Sequence, residues 1–227
     1  MNGLIFTTMI SFGLPLIALL YAFWKKRYIP YMLGILAFVV SQILIRIPML
    51  NYLNGTSTDF QMFSVMQPIL FAVLLSISAG IFEEIARFIA MRYFMKQRDW
   101  QSGFLFGAGH GGIEAVLIVG IPVISLLLSQ TVIQNGDSYY LGGIERIFAM
   151  VLHVGLSFIV LQAVVQKKFR YVVYAILIHG TVNALAGIIS LYVPGKSGII
   201  MSEVSIAIFA LLTFSYSFIL KRKGVFK

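Results

Sequence analysis

Residues 64–95 read SVMQPILFAVLLSISAGIFEEIARFIAMRYFM, an apolar run with charge at its centre. The run is longer than the roughly 20 apolar residues that cross a bilayer as a helix. The charged residues Glu83, Glu84 and Arg87 nevertheless lie within this run. Inserting a charge at the centre of a membrane helix costs a free energy of about 2.5–3.5 kcal/mol on insertion scales. Such side chains avoid lipid by facing other protein groups, so the run indicates a membrane helix with a polar, inward-facing stripe.

The rest of the chain has the same apolar character. Of its 227 residues 59% are hydrophobic and 11% charged, and its mean hydropathy is +0.94, which is too apolar for a soluble domain. Six further apolar runs occupy residues 3–24, 29–50, 103–129, 144–166, 171–193 and 199–220. We predict an all-α, polytopic bundle of about seven transmembrane helices. Residues 1–227 would form one integral-membrane domain with a motif-bearing core at about 64–193.

The basic residues indicate the orientation of this bundle. The formal net charge is +9, but the charge falls in short clusters after alternate apolar runs, which argues against nucleic-acid binding. These clusters are Lys25, Lys26 and Arg27; Arg92, Lys96 and Arg98; Lys167, Lys168 and Arg170; and Lys221, Arg222, Lys223 and Lys227. The positive-inside rule then places the N-terminus outside and the C-terminus in the cytoplasm.

Polar side chains recur on one face of four predicted helices. The pairs Glu83 and Arg87, His110 and Glu114, and His179 and Asn183 are each four residues apart, so each pair shares a helix face. On a fourth helix, Arg146 and His153 are seven apart, again on nearly one face. We expect the four stripes to face one another inside the bundle, because such groups avoid lipid.

The depth of these groups follows from the helical rise of about 1.5 Å per residue. Counted from the predicted cytoplasmic ends, Glu83, His110 and His179 lie roughly 10–14 Å into the membrane, and His153 roughly 20 Å. Glu114 and Asn183 fall between these levels. The sequence therefore predicts one polar layer, in the cytoplasmic half of the bilayer or close to its centre.

Two features limit the chemistry of this layer. The chain has no cysteine, so a metal would be held by His, Glu, Asp or Asn, and a thiol nucleophile is excluded. Gly107, Gly109, Gly111 and Gly112 surround His110. They indicate either close helix packing through small residues or a small cavity beside the imidazole.

Taken together, the motifs resemble a known family. The segments are EEIAR at 83–87, GHGGIE at 109–114, Glu145-Arg146 with His153, and His179 with Asn183. They resemble the YhfC-type intramembrane metalloproteases, relatives of the PrsW proteases and of the CAAX prenyl endopeptidase and bacteriocin-processing superfamily. The resemblance covers residues 83–183. The wider superfamily usually has three residues between the Glu pair and its Arg, whereas this chain has two, as in the YhfC branch.

The resemblance implies an intramembrane peptidase with a glutamate-activated, zinc-bound water. Glu83 or Glu84 would be the general base, with the other held by Arg87 in an ion pair, and the resemblance favours Glu83 as the base. The metal ligands would be His110, Glu114, His153 and His179, and Asn183 or Arg146 would bind the oxyanion. Some CAAX-type relatives are described as glutamate-dependent, with histidines orienting the water, so a site without Zn²⁺ stays an alternative.

The expected partners are the lipid bilayer and a membrane-anchored or transmembrane polypeptide substrate, in a bacterial plasma membrane that the chain crosses several times. A substrate would enter from the cytoplasm or laterally from the bilayer.

A proton- or ion-coupled transporter is the main alternative function, because it too needs buried carboxylates and histidines. A non-catalytic scaffold or immunity protein of the same fold is another. We expect Glu145-Arg146 to be an interfacial ion pair, and Gln42 and Arg46 to be packing or snorkelling residues.

Overall fold

The structure is a computed structural model, and it describes residues 1–129 and 138–226. Throughout these two ranges the regular elements are helical, as predicted. The α-helices are α1 Asn2–Trp24, α2 Tyr28–Phe38, α3 Ile47–Thr56, α4 Thr58–Met66, α5 Pro68–Ile89, α6 Trp100–Glu114, α7 Ile121–Leu128, α8 Ser138–Gln166, α9 Arg170–Tyr192 and α10 Lys196–Arg222. Three π-helical segments, Val39–Arg46, Ala90–Phe94 and Ala115–Gly120, continue α2, α5 and α6.

Seven of the described helical stretches are long and apolar enough to cross a membrane, which confirms the predicted number. They are Asn2–Trp24, Tyr28–Thr56, Pro68–Phe94, Trp100–Leu128, Tyr139–Gln166, Arg170–Tyr192 and Lys196–Arg222. The third begins at Pro68 and not at residue 64, because Gln67 leaves the helical conformation and Pro68 suits a first helical turn. The short helix α4 precedes it, and the Ser57 side chain caps that helix by accepting from the Phe60 amide.

The fifth span, α8, lies at the centre of the bundle. Its most apolar stretch is 83% buried, whereas the corresponding stretches of the other spans are at most 28% buried. Helices α1, α6, α9 and α10 pack around it, α5 packs on α9, and α2 packs on α6. Side chains on α8 can therefore meet groups from several spans at once.

Glycines bring α6 close to its neighbours. A Cβ atom on Gly109 would lie 2.1 Å from the carbonyl oxygen of Tyr31, and one on Gly107 would lie 2.5 Å from the Cα atom of Val154. Gly111 faces His153, and a Cβ atom added at Gly111 would lie 3.1 Å from the Cβ atom of His153. Close packing thus accounts for the glycines around His110, and Gly111 also makes room for an imidazole.

The two ends of the bundle differ in character. The loops with the basic clusters lie at one end, called here the basic end, where Arg27 forms an ion pair with Asp99. Burial would raise the pKa of Asp99, but hydrogen bonds from Arg27 and from Ser102 outweigh burial and lower it. Above these loops the interior is filled by fully buried apolar side chains, among them Leu105, Phe106, Phe158 and Leu161. The opposite end is called the far end.

Candidate active site

Four spans bring the predicted polar stripes into one buried layer. Helix α5 contributes Glu83, Glu84 and Arg87, α6 contributes His110, α8 contributes His153 and α9 contributes His179; all six are at most 5% exposed. The ring centroids of His110 and His153 are 5.0 Å apart, and those of His153 and His179 are 5.5 Å apart. The helix phases predicted from sequence therefore converge on one site, although residue roles within it stay predictions.

Glu83 lies at the centre of this layer. Its Oε2 atom is 2.9 Å from Nε2 of His110, and its Oε1 atom accepts a hydrogen bond of 2.6 Å from Nε2 of Gln42. Nε2 of His179 and a terminal nitrogen of Arg87 are each 3.9 Å from the same Oε2 atom. One carboxylate oxygen is thus engaged by an amide, and the other faces imidazoles and a guanidinium group.

Glu84 holds the imidazole of His179 in place. Nδ1 of His179 is 2.8 Å from Oε1 of Glu84, and Nε of Arg87 is 3.3 Å from Oε2 of Glu84. An ionised carboxylate only accepts, so Nδ1 of a neutral His179 carries the proton. Its Nε2 lone pair then points toward Glu83, an arrangement typical of a carboxylate that orients a metal-binding or base-assisting histidine.

Arg87 connects α5 to the central helix. Its Nη1 atom donates to the carbonyl oxygen of His153 at 2.7 Å and to Oγ of Ser157 at 2.9 Å, and its Nη2 atom lies 3.1 Å from Nδ1 of His153. Because a guanidinium group only donates, Nδ1 of His153 accepts and the proton of the neutral ring lies on Nε2. Arg87 therefore fixes the ring of His153 as well as its ion-pair partner.

A second carboxylate, Glu114, continues the layer toward the far end. Its Oε2 atom is 2.6 Å from Nε2 of His153, and its Oε1 atom is 3.3 Å from Nη1 of Arg146. Arg146 is only 8% exposed and also forms an ion pair with Glu145. The predicted pair of Glu145 and Arg146 is present, but it is joined to the site through Glu114 instead of standing apart at the interface.

A small cavity of about 110 Å³ opens beside these groups, enough for several water molecules. It is lined by Glu83, Glu114, Glu145, Arg146, Ala149, Leu152, His153, His179, Val182, Asn183 and Ile206. Side-chain exposure rises from 6% at Glu83 to 20% at Glu114 and 21% at Glu145. The cavity therefore extends from the layer toward the far end, away from the closely packed basic end.

Asn183 lines this cavity without a fixed partner. Its side chain makes no hydrogen bond to any residue within the described ranges 1–129 and 138–226. An unengaged amide on the wall of a polar cavity is available to donate to a bound molecule.

The donor set suits a divalent metal ion. Glu83, His110 and His153 each offer one buried ligand atom, and these atoms all lie within 4.8 Å of one another. Nitrogen and carboxylate ligands of this kind favour Zn²⁺ among common ions. Nδ1 of His110 is buried without a hydrogen-bond partner, so its ring is not committed to another protein group through that atom. The resemblance implies four ligands, of which His110 and His153 belong to this group. The other two, His179 and Glu114, are its neighbours but not members of it.

Two residues of the site were not predicted from sequence. Gln42 was expected to pack or snorkel, yet it is 4% exposed and bonded to Glu83. Ser157 received no role, yet it accepts from Arg87. The available signals were weak: Gln42 lies four residues before Arg46 within an apolar run, and Ser157 lies four residues after His153.

Comparison with known proteins identifies the family to which this site belongs. The model of the YhfC intramembrane metalloprotease family matches residues 10–138 and 137–209. The chain belongs to the YhfC family. It is 34% identical over 194 aligned positions to an uncharacterized membrane protein, YhfC, of Bacillus subtilis (strain 168), with 72% of this chain and 73% of that protein covered. No solved structure matches the chain.

The family match confirms the resemblance drawn from residues 83–183 and extends it along the chain. It also agrees with a multi-pass membrane protein. The match includes most of the first and second spans, which had resembled the family only in being hydrophobic. Gln42 thus lies within the part of the chain that the family model describes.

Proposed function

We propose that the protein is an intramembrane peptidase that hydrolyses a peptide bond of a membrane-associated or transmembrane polypeptide. One observation supports this above all: Glu83, His110 and His153 meet in a buried layer beside a polar cavity. Water, an ionisable base and imidazoles at a membrane site are what hydrolysis of a peptide bond needs. The family description, an intramembrane metalloprotease, agrees with this chemistry.

Glu83 is the proposed general base. Its Oε2 atom faces the imidazoles of His110 and His179, so a water molecule in the adjoining cavity would lie within reach of it. Glu84 is unsuited to this role, because it is fully buried, is not among the residues that line the cavity, and pairs with His179 and Arg87. Glu83 would take the proton of the attacking water and later pass it to the leaving amine.

Asn183 is the proposed donor to the oxyanion that forms when water attacks the peptide carbonyl. It lines the cavity, and its amide has no hydrogen-bond partner among the residues that the structure describes. Arg146 is less suited, since it already pairs with Glu114 and Glu145. Preorganised donors of this type stabilise the developing negative charge in a site from which bulk water is largely removed.

His110 and His153 would hold a Zn²⁺ ion next to Glu83, whose Oε2 atom would stay available as the base. When bound, such an ion lowers the pKa of its water toward about 7 and polarises the substrate carbonyl. Both ring nitrogens of His153 are engaged in the structure, Nδ1 by Arg87 and Nε2 by Glu114, so binding of the ion would replace one of these contacts while the other keeps the ring in place. Glu84 holds the ring of His179. Both rings would thus keep a fixed orientation toward Glu83 and the cavity.

The packing of the two ends argues against an ion pathway across the bundle. In the described part of the chain, the polar groups continue from Glu83 to Glu145 toward the far end. Below the layer, Leu105, Phe106 and Phe158 fill the interior of the basic end and are not exposed at all. A transporter needs access to its site from both sides, whereas a hydrolase needs access from only one.

The test is cleavage in reconstituted membranes. The protein is placed in proteoliposomes with a library of single-span membrane peptides, and products are identified by mass spectrometry. Glu83→Gln keeps the size of the side chain but not its basicity, so cleavage should fall to the rate seen in empty liposomes. Glu203→Gln, the same change in another span, is the matched control and should cleave like the wild type. Unchanged cleavage by Glu83→Gln would remove Glu83 as the base, and proton flux without any cleavage would favour a transporter.

A further inference from the structure

The second span carries a polar pair that the proposed reaction has not yet used. Gln42 and Arg46 lie in the π-helical segment Val39–Arg46, and Gln42 is 4% exposed. Segments of this kind are rare and often occur at functional sites. Gln42 reaches across to α5 and touches Glu83, the proposed base, at 2.6 Å.

Arg46 determines which way the amide of Gln42 points. Nη1 of Arg46 donates to Oε1 of Gln42 at 3.1 Å. A guanidinium group has no acceptor, so the amide oxygen must face Arg46 and the amide nitrogen must face Glu83. If the amide were flipped, it would place its oxygen against a carboxylate oxygen and its N–H group against a cation.

Arg46 is itself fixed on the helix that carries the base. Its Nε atom donates to Oγ of Ser78 at 3.1 Å, and its Nη2 atom donates to the carbonyl oxygen of Leu75 at 2.7 Å. Both partners are on α5, as is Glu83. Gln42 and Arg46 therefore join the second span to α5 at three points and leave the amide little freedom to rotate.

The consequence falls on the two oxygens of Glu83. Oε1 accepts from the amide of Gln42, whereas Oε2 is hydrogen-bonded to Nε2 of His110 at 2.9 Å and is the oxygen on the side of the imidazoles. We infer that Gln42, oriented by Arg46, is a positioning residue that directs a single oxygen of Glu83, Oε2, to the reacting water. Without it, the carboxylate could rotate about its terminal bond and present either oxygen or both to the site.

The predicted effect is on the rate of the chemical step and not on substrate binding. Replacing a group that orients an active-site ligand commonly lowers activity about 10- to 100-fold. Gln42→Met keeps the length of the side chain and removes the hydrogen-bond donor, so kcat should fall by roughly this factor while KM changes less than about twofold. Arg46→Met, which frees the amide to flip, should lower kcat by a smaller factor.

Only this kinetic consequence rests on the proposed peptidase function, so a second measurement is made without substrate. The infrared band of the Glu83 carboxyl group is identified as the band lost in Glu83→Gln. Gln42→Met should shift this band, because one carboxyl oxygen loses its hydrogen bond, and Arg46→Met should shift it in the same direction. Ser41→Ala is the matched control, since within the described part of the chain the Ser41 hydroxyl bonds only to carbonyls of its own helix, those of Ala37 and Phe38.

Each outcome decides the matter. A band unmoved by Gln42→Met overturns the inference whatever the kinetics show, as does an unchanged kcat in an active enzyme. Arg46→Met covers the case in which Gln42→Met fails to fold, since it leaves Gln42 in place and should still move the band. If the wild type cleaves no peptide, the peptidase function fails, and the infrared band alone decides whether Gln42 orients Glu83.

Discussion

Oε1 of Glu84 and Nδ1 of His179 lie 2.8 Å apart in the buried interior, although the two residues are ninety-five positions apart in the chain. Arg87 approaches the other oxygen of Glu84 at 3.3 Å, and both of these charged side chains are inaccessible to solvent. An ion pair of this kind fixes geometry more than it stabilises the fold, because desolvation offsets much of the attraction. A substitution that removes only one partner of the pair, however, leaves the charge of the other partner buried and unpaired.

Glu84→Gln should therefore destabilise the protein strongly. Loss of one partner of a buried pair typically costs about 3–5 kcal/mol, because the remaining charge stays buried. Of the carboxylates in the described residues, Arg87 would then keep only Glu83, at 3.9 Å, as an ion-pair partner. The free energy of unfolding in mixed detergent micelles measures the effect. Glu203→Gln, which removes a carboxylate without an ion-pair partner among the described residues, should change little, and equal stabilities for the two variants would contradict the prediction.

The metal content of histidine variants should follow the geometry of the site. His110 and His153 belong to the group of donors within 4.8 Å, whereas His179 is held by Glu84 beside that group. We expect His110→Ala and His153→Ala to lose bound zinc after gentle purification. His179→Ala should retain zinc with affinity lowered about 10- to 100-fold, the usual effect of a residue next to the ligands.

Zinc measured by mass spectrometry in the three variants and the wild type checks this order. Gln162→Ala serves as the control, because Gln162 is buried on α8 but bonds to Tyr216 and lies outside the site. A zinc content in His110→Ala equal to that of the wild type would exclude His110 as a ligand. If His179→Ala lost all of its bound zinc, His179 would be a ligand, as the resemblance implies.

Gly109 should tolerate no side chain. A Cβ atom there would lie 2.1 Å from the carbonyl oxygen of Tyr31, so α6 and α2 would have to move apart. Overpacking of this kind typically costs about 1–3 kcal/mol. Gly109→Ala should lower the free energy of unfolding by at least that amount, whereas Gly142→Ala, with nothing within 4 Å, should not. A stable Gly109→Ala protein would show that the two helices are less closely packed.

Helix phase was sufficient to predict which side chains meet. His110, His153 and His179 were placed in one layer from sequence spacing alone, because a membrane helix is regular and polar groups have one favourable direction to face. The predicted order of depth, with His153 nearer the midplane, stays a prediction, because the 5.0 Å between the rings of His153 and His110 gives only their separation. Counting along straight helices ignores tilt and offset between spans, which packing sets.

The contribution of Gln42 could not have been predicted in this way. Its amide reaches Glu83 from a span with no other conspicuous motif, and the contact depends on how two helices cross. The direction of the cavity was equally hidden, since it arises where Ala149, Val182 and Ile206 fail to fill space between three helices. Such features are properties of tertiary packing, and one sequence records them only as ordinary apolar and polar residues.

Because the cavity extends toward the far end, we predict that water and substrate reach the site from that end. Ala149 lines the cavity, whereas Ala163, on the same helix, is 1% exposed within the apolar packing of the basic end. The chain has no cysteine, so Ala149→Cys and Ala163→Cys each introduce a single thiol without any other change. We expect a charged, membrane-impermeant thiol reagent to modify Ala149→Cys and to leave Ala163→Cys unmodified.

The side of modification tests the route and the orientation together. The positive-inside rule predicts that the basic end lies in the cytoplasm, and with that orientation the reagent should react from the outer side of right-side-out vesicles and not from the inner side. A cysteine at Lys168, in a basic loop, reports the inner side independently and fixes the orientation of the vesicles. If Ala149→Cys reacted only from the side on which Lys168→Cys reacts, the route would pass through the basic end, and the close packing around Phe106 and Phe158 would have to open for a substrate to enter.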